Sequence, residues 1–189
     1  MKLHVGYLSI IFSLSLIGSG PVLAQYVGGN AGGQSASTEA AKVQDWFGKY
    51  DNIRRQAQMS PQERARSDAM MSKGLSMFVA GDEKTEMQAF LRKLVQKNTA
   101  AADQLKQMPL YPETEKLHRG YYQYFTQAAR VFNDYITVQN NPLAADAQGK
   151  SVAAGLLQGK SNLEMIDQNN KALDAQLRQQ FNIALYHYP

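Results

Sequence analysis

The chain has 189 residues, no cysteine, and 20 basic against 16 acidic residues, which gives a formal net charge of +4. The lack of cysteine excludes disulfides, thiolate metal sites, cysteine-linked haem and a lipidated N-terminal cysteine, so packing alone must stabilise the fold. A small and dispersed positive charge excludes the concentrated basic surface that a nucleic-acid-binding protein needs. The densest basic group, Arg54-Arg55 with Arg64 and Arg66, is interpreted as solvated helix surface.

The first 24 residues are typical of a secretory signal peptide. Lys2 precedes an apolar run at 5–17, and Val22-Leu23-Ala24 places small or apolar side chains where a signal peptidase cleaves. The run is shorter than the roughly 20 apolar residues of a transmembrane helix, although an uncleaved membrane anchor is the alternative. We therefore expect cleavage before Gln25 and an exported protein, periplasmic or extracellular, and the absence of cysteine favours a bacterial envelope.

The remaining chain, 189 less 24 residues, has 165 residues, the length of about one domain. Residues 25–37 are rich in Gly, Ser, Asn and Gln, a composition that predicts a flexible leader. The predicted organisation is a signal peptide at 1–24, a leader at 25–37 and a single domain at 38–189.

Two helices are predicted at the start of the domain. Helix 1 should begin at Ser37 or Thr38 and end near Met59, because its apolar residues recur at helical spacing. Helix 2 should begin at Ser60, where Ser-Pro-Gln-Glu has the pattern of a capping box, and end near Ala80. Its apolar pattern is the weakest in the chain. The predicted buried faces are Val43, Trp46, Phe47, Tyr50, Ile53 and Ala57 in helix 1, and some of Ala65, Ala69, Met70, Leu75, Met77 and Phe78 in helix 2.

Three further helices complete the predicted domain. Helix 3 runs from about Asp82 to Gln107 and is broken by two prolines, helix 4 starts at Pro112 or Glu113 and stops before Asn140, and helix 5 covers about 150–182. The last residues, 183–189, are expected to fold back onto the helices. The predicted fold is all-α, an up-and-down bundle of four to five antiparallel helices. Helix 4 carries the apolar stripe around which the domain is expected to pack: Leu117, Tyr121, Tyr124, Phe125, Ala128, Phe132, Tyr135 and Ile136. The apolar stripe of helix 5 consists of Val152, Leu156, Leu163, Ile166, Leu173, Leu177 and Phe181.

Only one pattern suggests metal chemistry. Glu115-x-x-His118 has the spacing by which helical bundles present a carboxylate and an imidazole to a metal pair, but that site needs the pattern twice. His118 is predicted to be half exposed and to make an ordinary hydrogen bond. Without a nucleophile motif or a phosphate-binding glycine loop in the domain, the sequence predicts no catalytic residue and no cofactor.

Methionine and tyrosine side chains offer an adaptable, half-buried surface. We expect a groove where helix 2 meets helix 4, edged by Met71, Met77, Tyr122, Tyr186 and Tyr188, although plain packing explains most of the tyrosines. The predicted function is non-enzymatic: binding of a protein or envelope partner, or of an apolar ligand. The alternatives are a metal-dependent or redox enzyme that uses Glu115 and His118, and a structural protein tethered by an uncleaved 5–17 segment.

Overall fold

The structure is a computed structural model that describes residues 33–72 and 82–187, and within these ranges the chain is all-α, as predicted. The described residues contain no strand, only an isolated bridge between Ala145 and Ser151. None of the described helices is both long enough and apolar enough to cross a membrane. The helices are α1 (Gly33–Ala57), α2 (Pro61–Ser72), α3 (Asp82–Lys106), α4 (Glu115–Asn140) and α5 (Val152–Gln180).

The core forms around α1, which begins at Gly33, earlier than predicted. Its predicted stripe is confirmed, since all six residues from Val43 to Ala57 named above are buried. The Trp46 ring stacks on Tyr50 with ring centroids 5.1 Å apart, and Tyr50 lies 4.9 Å from Tyr121 of α4. Aromatic pairs at these distances stabilise a fold by more than the burial of their apolar area alone. This contact joins α1 to α4, and the core cluster also includes the C-terminal halves of α3 and α5.

The predicted capping box starts α2. The Ser60 hydroxyl accepts a hydrogen bond from the Glu63 backbone N–H at 3.1 Å, and the Glu63 carboxylate accepts one from the Ser60 N–H at 2.9 Å. Glu63 also pairs with Lys93 and Lys97 of α3 at 2.8 and 2.7 Å. Ala65, one of the residues of which some were predicted to be buried, is exposed, and the next residue, Arg66, contacts α3 through Glu86 and the Phe90 ring. The predicted end of helix 2, near Ala80, lies outside the described residues.

The helix α4 begins at Glu115, later than predicted, because residues 112–114 form a turn. Thr114 is fully buried there, and its carbonyl accepts a hydrogen bond from the His118 N–H at 2.8 Å. Leu117, Tyr121, Phe125 and Ala128 of the predicted stripe are buried, whereas Tyr124 and the three later members are only partly buried.

The helix α5 packs mainly on α4, and its C-terminal part also contacts α1. Of the predicted α5 stripe, Leu177 alone is buried, in the core cluster around α1, while the other members are partly buried. The N-terminus of α5 is capped by Ser151, whose hydroxyl accepts from the Ala154 N–H at 3.3 Å. At Gly159 an added Cβ would lie 3.2 Å from the Val131 side chain of α4, whereas nothing lies within 4 Å of a Cβ added at Gly155.

The helices α4 and α5 approach each other closely at Gly120. A Cβ added there would lie 2.1 Å from Oδ1 of the buried Asn170, so the Asn170 side chain or one of the helices would have to move. We therefore expect Gly120→Ala to lower the free energy of unfolding by about 1 to 3 kcal/mol in urea denaturation, the usual cost of overpacking a core. The same change at Gly155 meets open space and should be neutral or stabilising through helix propensity. Equal effects at the two glycines would contradict the contact.

Candidate functional site

A groove of about 380 Å³ lies between α1 and the C-terminal tail, which is defined here as residues 183–187. This volume is within the range of sites that hold small ligands, about 300 to 1,000 Å³. We call it the α1–tail groove. Its lining residues are Gln44, Phe47, Gly48, Asp51 and Arg55 of α1, Arg178 of α5, and Ile183, Ala184, Leu185, Tyr186 and His187 of the tail.

The tail is held against α1 by contacts at both of its ends. Asn182 has a positive φ of 52°, which turns the chain after α5, and the next backbone N–H, of Ile183, donates to the Arg178 carbonyl at 2.8 Å. At the far end, the Tyr186 hydroxyl donates to Gln58 at 3.0 Å, and the Tyr186 ring lies 4.3 Å from the Arg54 guanidinium carbon. Over its described residues, the tail therefore folds back onto the helices, as predicted.

Beneath the tail lies a buried group of two arginines and two aspartates, Asp51, Arg54, Asp174 and Arg178, which we call the arginine–aspartate cluster. Arg178 is only 1% exposed. Its Nε donates to Asp174 at 3.1 Å, and its Nη1 and Nη2 both donate to Asp51, the former at 3.2 Å. Nη1 also donates to the Ala184 carbonyl at 2.8 Å, so the cluster fixes the position of the tail as well.

The electrostatics of the cluster are balanced. Burial acts to lower the pKa of Arg178, but hydrogen bonds and charge interactions with Asp51 and Asp174 outweigh it and raise that pKa above its usual value. Arg54 donates to Asp174 at 3.4 Å. The interpretation of Arg54 as solvated surface is wrong: it follows Tyr50 by one helical turn, on the buried side of α1, where Asp174 neutralises its charge. Two positive and two negative charges leave the cluster neutral.

The open part of the groove combines apolar surface with one cation. A Cβ added at Gly48 would meet nothing within 4 Å, so the helix backbone itself forms part of the floor. Leu185 is 61% exposed on the tail side, and the Arg178 guanidinium lies 4.5 Å from the Phe47 ring, which it covers. Arg55 is exposed and forms no ion pair with any described residue. The groove therefore presents an exposed apolar side chain and an exposed cation together.

Of the predicted groove residues whose side chains the structure describes, Tyr122 and Tyr186, only Tyr186 lines this site. Tyr122 is 38% exposed on α4, and no described contact joins the two. Met71 lies in α2, with a side chain that is not described, and Met77 and Tyr188 lie outside the described residues. The proposed meeting of helix 2 with helix 4 stays a prediction, since the described ion pairs of α2 go to α3.

Glu115 and His118 are not brought together into a shared site. Glu115 is partly exposed and pairs with Arg119 at 2.8 Å. His118 is buried, not half exposed as predicted, because Trp46 packs beside it with ring centroids 6.2 Å apart. Its Nδ1 has no hydrogen-bond partner among the described residues, and burial, with a smaller contribution from Arg119, lowers the pKa of His118. The described residues contain no group of three or more side chains that could hold a metal ion.

The sequence reasoning missed the arginine–aspartate cluster. A signal was present, because Asp174 and Arg178 stand four residues apart and flank Leu177 on the predicted buried face of helix 5. Their partner Asp51 cannot be identified from spacing, since it lies on another helix. Comparisons of the chain with protein-family models, with curated proteins and with solved structures give no match. The function must therefore be argued from the geometry of the site.

Proposed function

We propose that this chain is an exported, non-enzymatic binding protein that holds an apolar ligand, or an apolar segment of an envelope partner, in the α1–tail groove. The export part of the proposal rests on the signal-peptide pattern of residues 1–24, which would place the mature chain in the periplasm or outside the cell. The binding part rests on the groove, which replaces the predicted surface between helix 2 and helix 4 as the candidate site.

The proposal includes an up-and-down arrangement in which α1, α3, α4 and α5 lie side by side as a bundle. Two facts support it: α4 packs against both α3 and α5, and α3 also packs against α1. The short connection at 107–114 is of the length that joins antiparallel neighbours in helix bundles. In such a bundle the tail would cross the end of α1 and form the second wall of the groove.

The observation that carries the binding proposal is the rigid wall of an otherwise open groove. The tail has no helical hydrogen bonds of its own, yet Arg178 binds its Ala184 carbonyl and Gln58 binds its Tyr186 hydroxyl. A groove whose walls are fixed before the ligand arrives loses less conformational entropy on binding. Binding also fits better than catalysis, because Arg178 engages Asp51 and no Ser, Thr or Cys is among the residues that line the groove.

A filled groove tests the proposal. Gly48→Leu would place a side chain in the open space of the groove, and we expect it to weaken the binding of an apolar dye about tenfold or more, as measured by fluorescence titration. Two dyes are used, the neutral Nile red and the anionic anilinonaphthalene sulfonate. The matched control is Gly155→Leu, which also meets open space but on α5, outside the groove. Leucine favours a helix over glycine at both positions, so neither variant should unfold.

Two results would count against this function. The first is that neither dye binds the wild-type protein. The second is that Gly48→Leu and Gly155→Leu bind both dyes as the wild type does, because the dye would then occupy some other surface.

A further inference from the structure

We infer that the α1–tail groove selects an amphiphile with a single negative headgroup: the apolar body lies over Gly48 and against Leu185, and the headgroup pairs with Arg55. This inference rests on the proposed function, since it names the class of ligand for the same groove. It commits to a small amphiphilic anion, such as a fatty acid or an aromatic sulfonate, and not to a nucleic acid or a protein surface.

The first step is the charge of the groove. Asp51 and Arg178 are the other charged residues in its lining, and Arg178 binds both carboxylate oxygens of Asp51. On the adjacent turns of α1, Asp45 and Lys49 pair with each other at 2.7 Å. These charges cancel in pairs. Arg55 remains as a cation with no ion pair to any described residue, so the groove presents a net positive charge to a ligand.

The second step is that the cation and the apolar surface lie in the same groove. Leu185 is exposed on the tail wall, and the open space over Gly48 belongs to the α1 side of the lining. Exposed apolar surface beside an unpaired guanidinium suits a molecule that has both characters, because the apolar part gains burial and the headgroup gains a charge partner. A cationic ligand would meet Arg55 as a like charge, and a neutral one would gain nothing from it.

The third step is size. A groove of about 380 Å³ holds a small ligand or one end of a longer chain, and it is too small for a folded domain. Because the groove is open to solvent, the ion pair with Arg55 is partly screened, so its effect on affinity should be moderate.

The test compares two arginines with two dyes. We expect Arg55→Gln to weaken binding of anilinonaphthalene sulfonate about three- to fivefold and to leave the binding of Nile red unchanged. The matched control is Arg130→Gln, which makes the same change in net charge at an exposed arginine of α4, outside the groove. It should change neither affinity. In high salt the difference between wild type and Arg55→Gln should shrink, because salt screens the exposed pair.

The outcomes separate this inference from the function on which it rests. Equal effects of Arg55→Gln and Arg130→Gln on sulfonate binding would overturn the inference, since the anion would then respond to net charge alone. The inference would also be overturned if Arg55→Gln weakened the binding of Nile red as much as that of the sulfonate, because Arg55 would then shape the groove and not select for charge. If Gly48→Leu weakens dye binding while Arg55→Gln does not, the proposed function stands and the headgroup assignment fails. If Gly48→Leu has no effect, the proposed function itself fails.

Discussion

Replacement of Arg178 by alanine should lower the free energy of unfolding by about 3 to 5 kcal/mol, a cost expected when one partner of a buried ion pair is removed. Three groups would lose their donor: the Asp174 carboxylate, the Asp51 carboxylate and the Ala184 carbonyl. Asp174 is itself buried, so its charge would lose one of its two arginine partners without gaining much water. Urea denaturation at neutral pH, followed by circular dichroism, measures this cost.

The matched control for that change is Arg119→Ala. Arg119 also pairs with a carboxylate four residues away on its own helix, but its side chain is 69% exposed. Exposed pairs of this kind contribute about 0.3 to 0.5 kcal/mol, so the control should lose about a tenth of the stability that Arg178→Ala loses. A double-mutant cycle with Asp51→Asn then measures the coupling across α1 and α5. If Arg119→Ala lowers the free energy of unfolding as much as Arg178→Ala does, the buried cluster contributes no more than an exposed ion pair.

The Arg178→Ala substitution should also disturb the α1–tail groove. Arg178 both joins α1 to α5 and binds the backbone of the tail. Its removal frees the Ala184 carbonyl, so the tail should exchange amide protons faster than in the wild type, and dye binding should fall with it. We therefore expect the shape of the proposed ligand site to depend on the buried cluster.

The helices were predictable because they follow local periodicity. The stripe of α1 identified a buried face that includes Trp46, and the capping box at Ser60 located the start of α2. Both signals depend on residues within one or two helical turns of each other. The start of α4 was misplaced because Pro112 is as favourable in a turn as at a helix start, and only the buried Thr114 distinguishes the two.

The candidate site was less predictable, for a physical reason. Charged residues are usually solvated, and the sequence alone gives Arg54 no partner that would justify its burial. That partner, Asp174, is 120 residues away in the chain and comes close only after α5 has packed. The burial of His118 was unpredictable for the same reason, since it depends on Trp46, which lies on another helix. Local patterns predict which face is buried, but not which polar groups are neutralised within it.

Acid should weaken the docking of α2 on α3 through a single carboxylate. Burial acts to raise the pKa of Glu63, but hydrogen bonds from Lys93, Lys97 and the Ser60 N–H outweigh it and lower that pKa from 4.5 to about 2. A folded-state pKa below the unfolded value means that the ionised group stabilises the fold above about pH 4.5. This stabilisation is lost as the pH falls toward about 2. Because Lys93 and Lys97 are partly exposed, solvent screening limits the contribution of this charge to about 1 to 2 kcal/mol.

Glu63→Gln isolates this charge, because glutamine can still accept from the Ser60 N–H and complete the capping box. Lys93 and Lys97 remain partly exposed, with side chains 59% and 23% accessible, so water can solvate them once the carboxylate is gone. The variant should therefore lose about 1 to 2 kcal/mol of docking free energy at neutral pH, and its amide-exchange protection in α2 should stay nearly constant between about pH 4.5 and 2. Wild-type protection should fall across the same window. Glu86→Gln, which removes an exposed partner of Arg66, should retain the wild-type slope. If protection in Glu63→Gln also falls with pH as it does in the wild type, a group other than Glu63 causes the acid sensitivity.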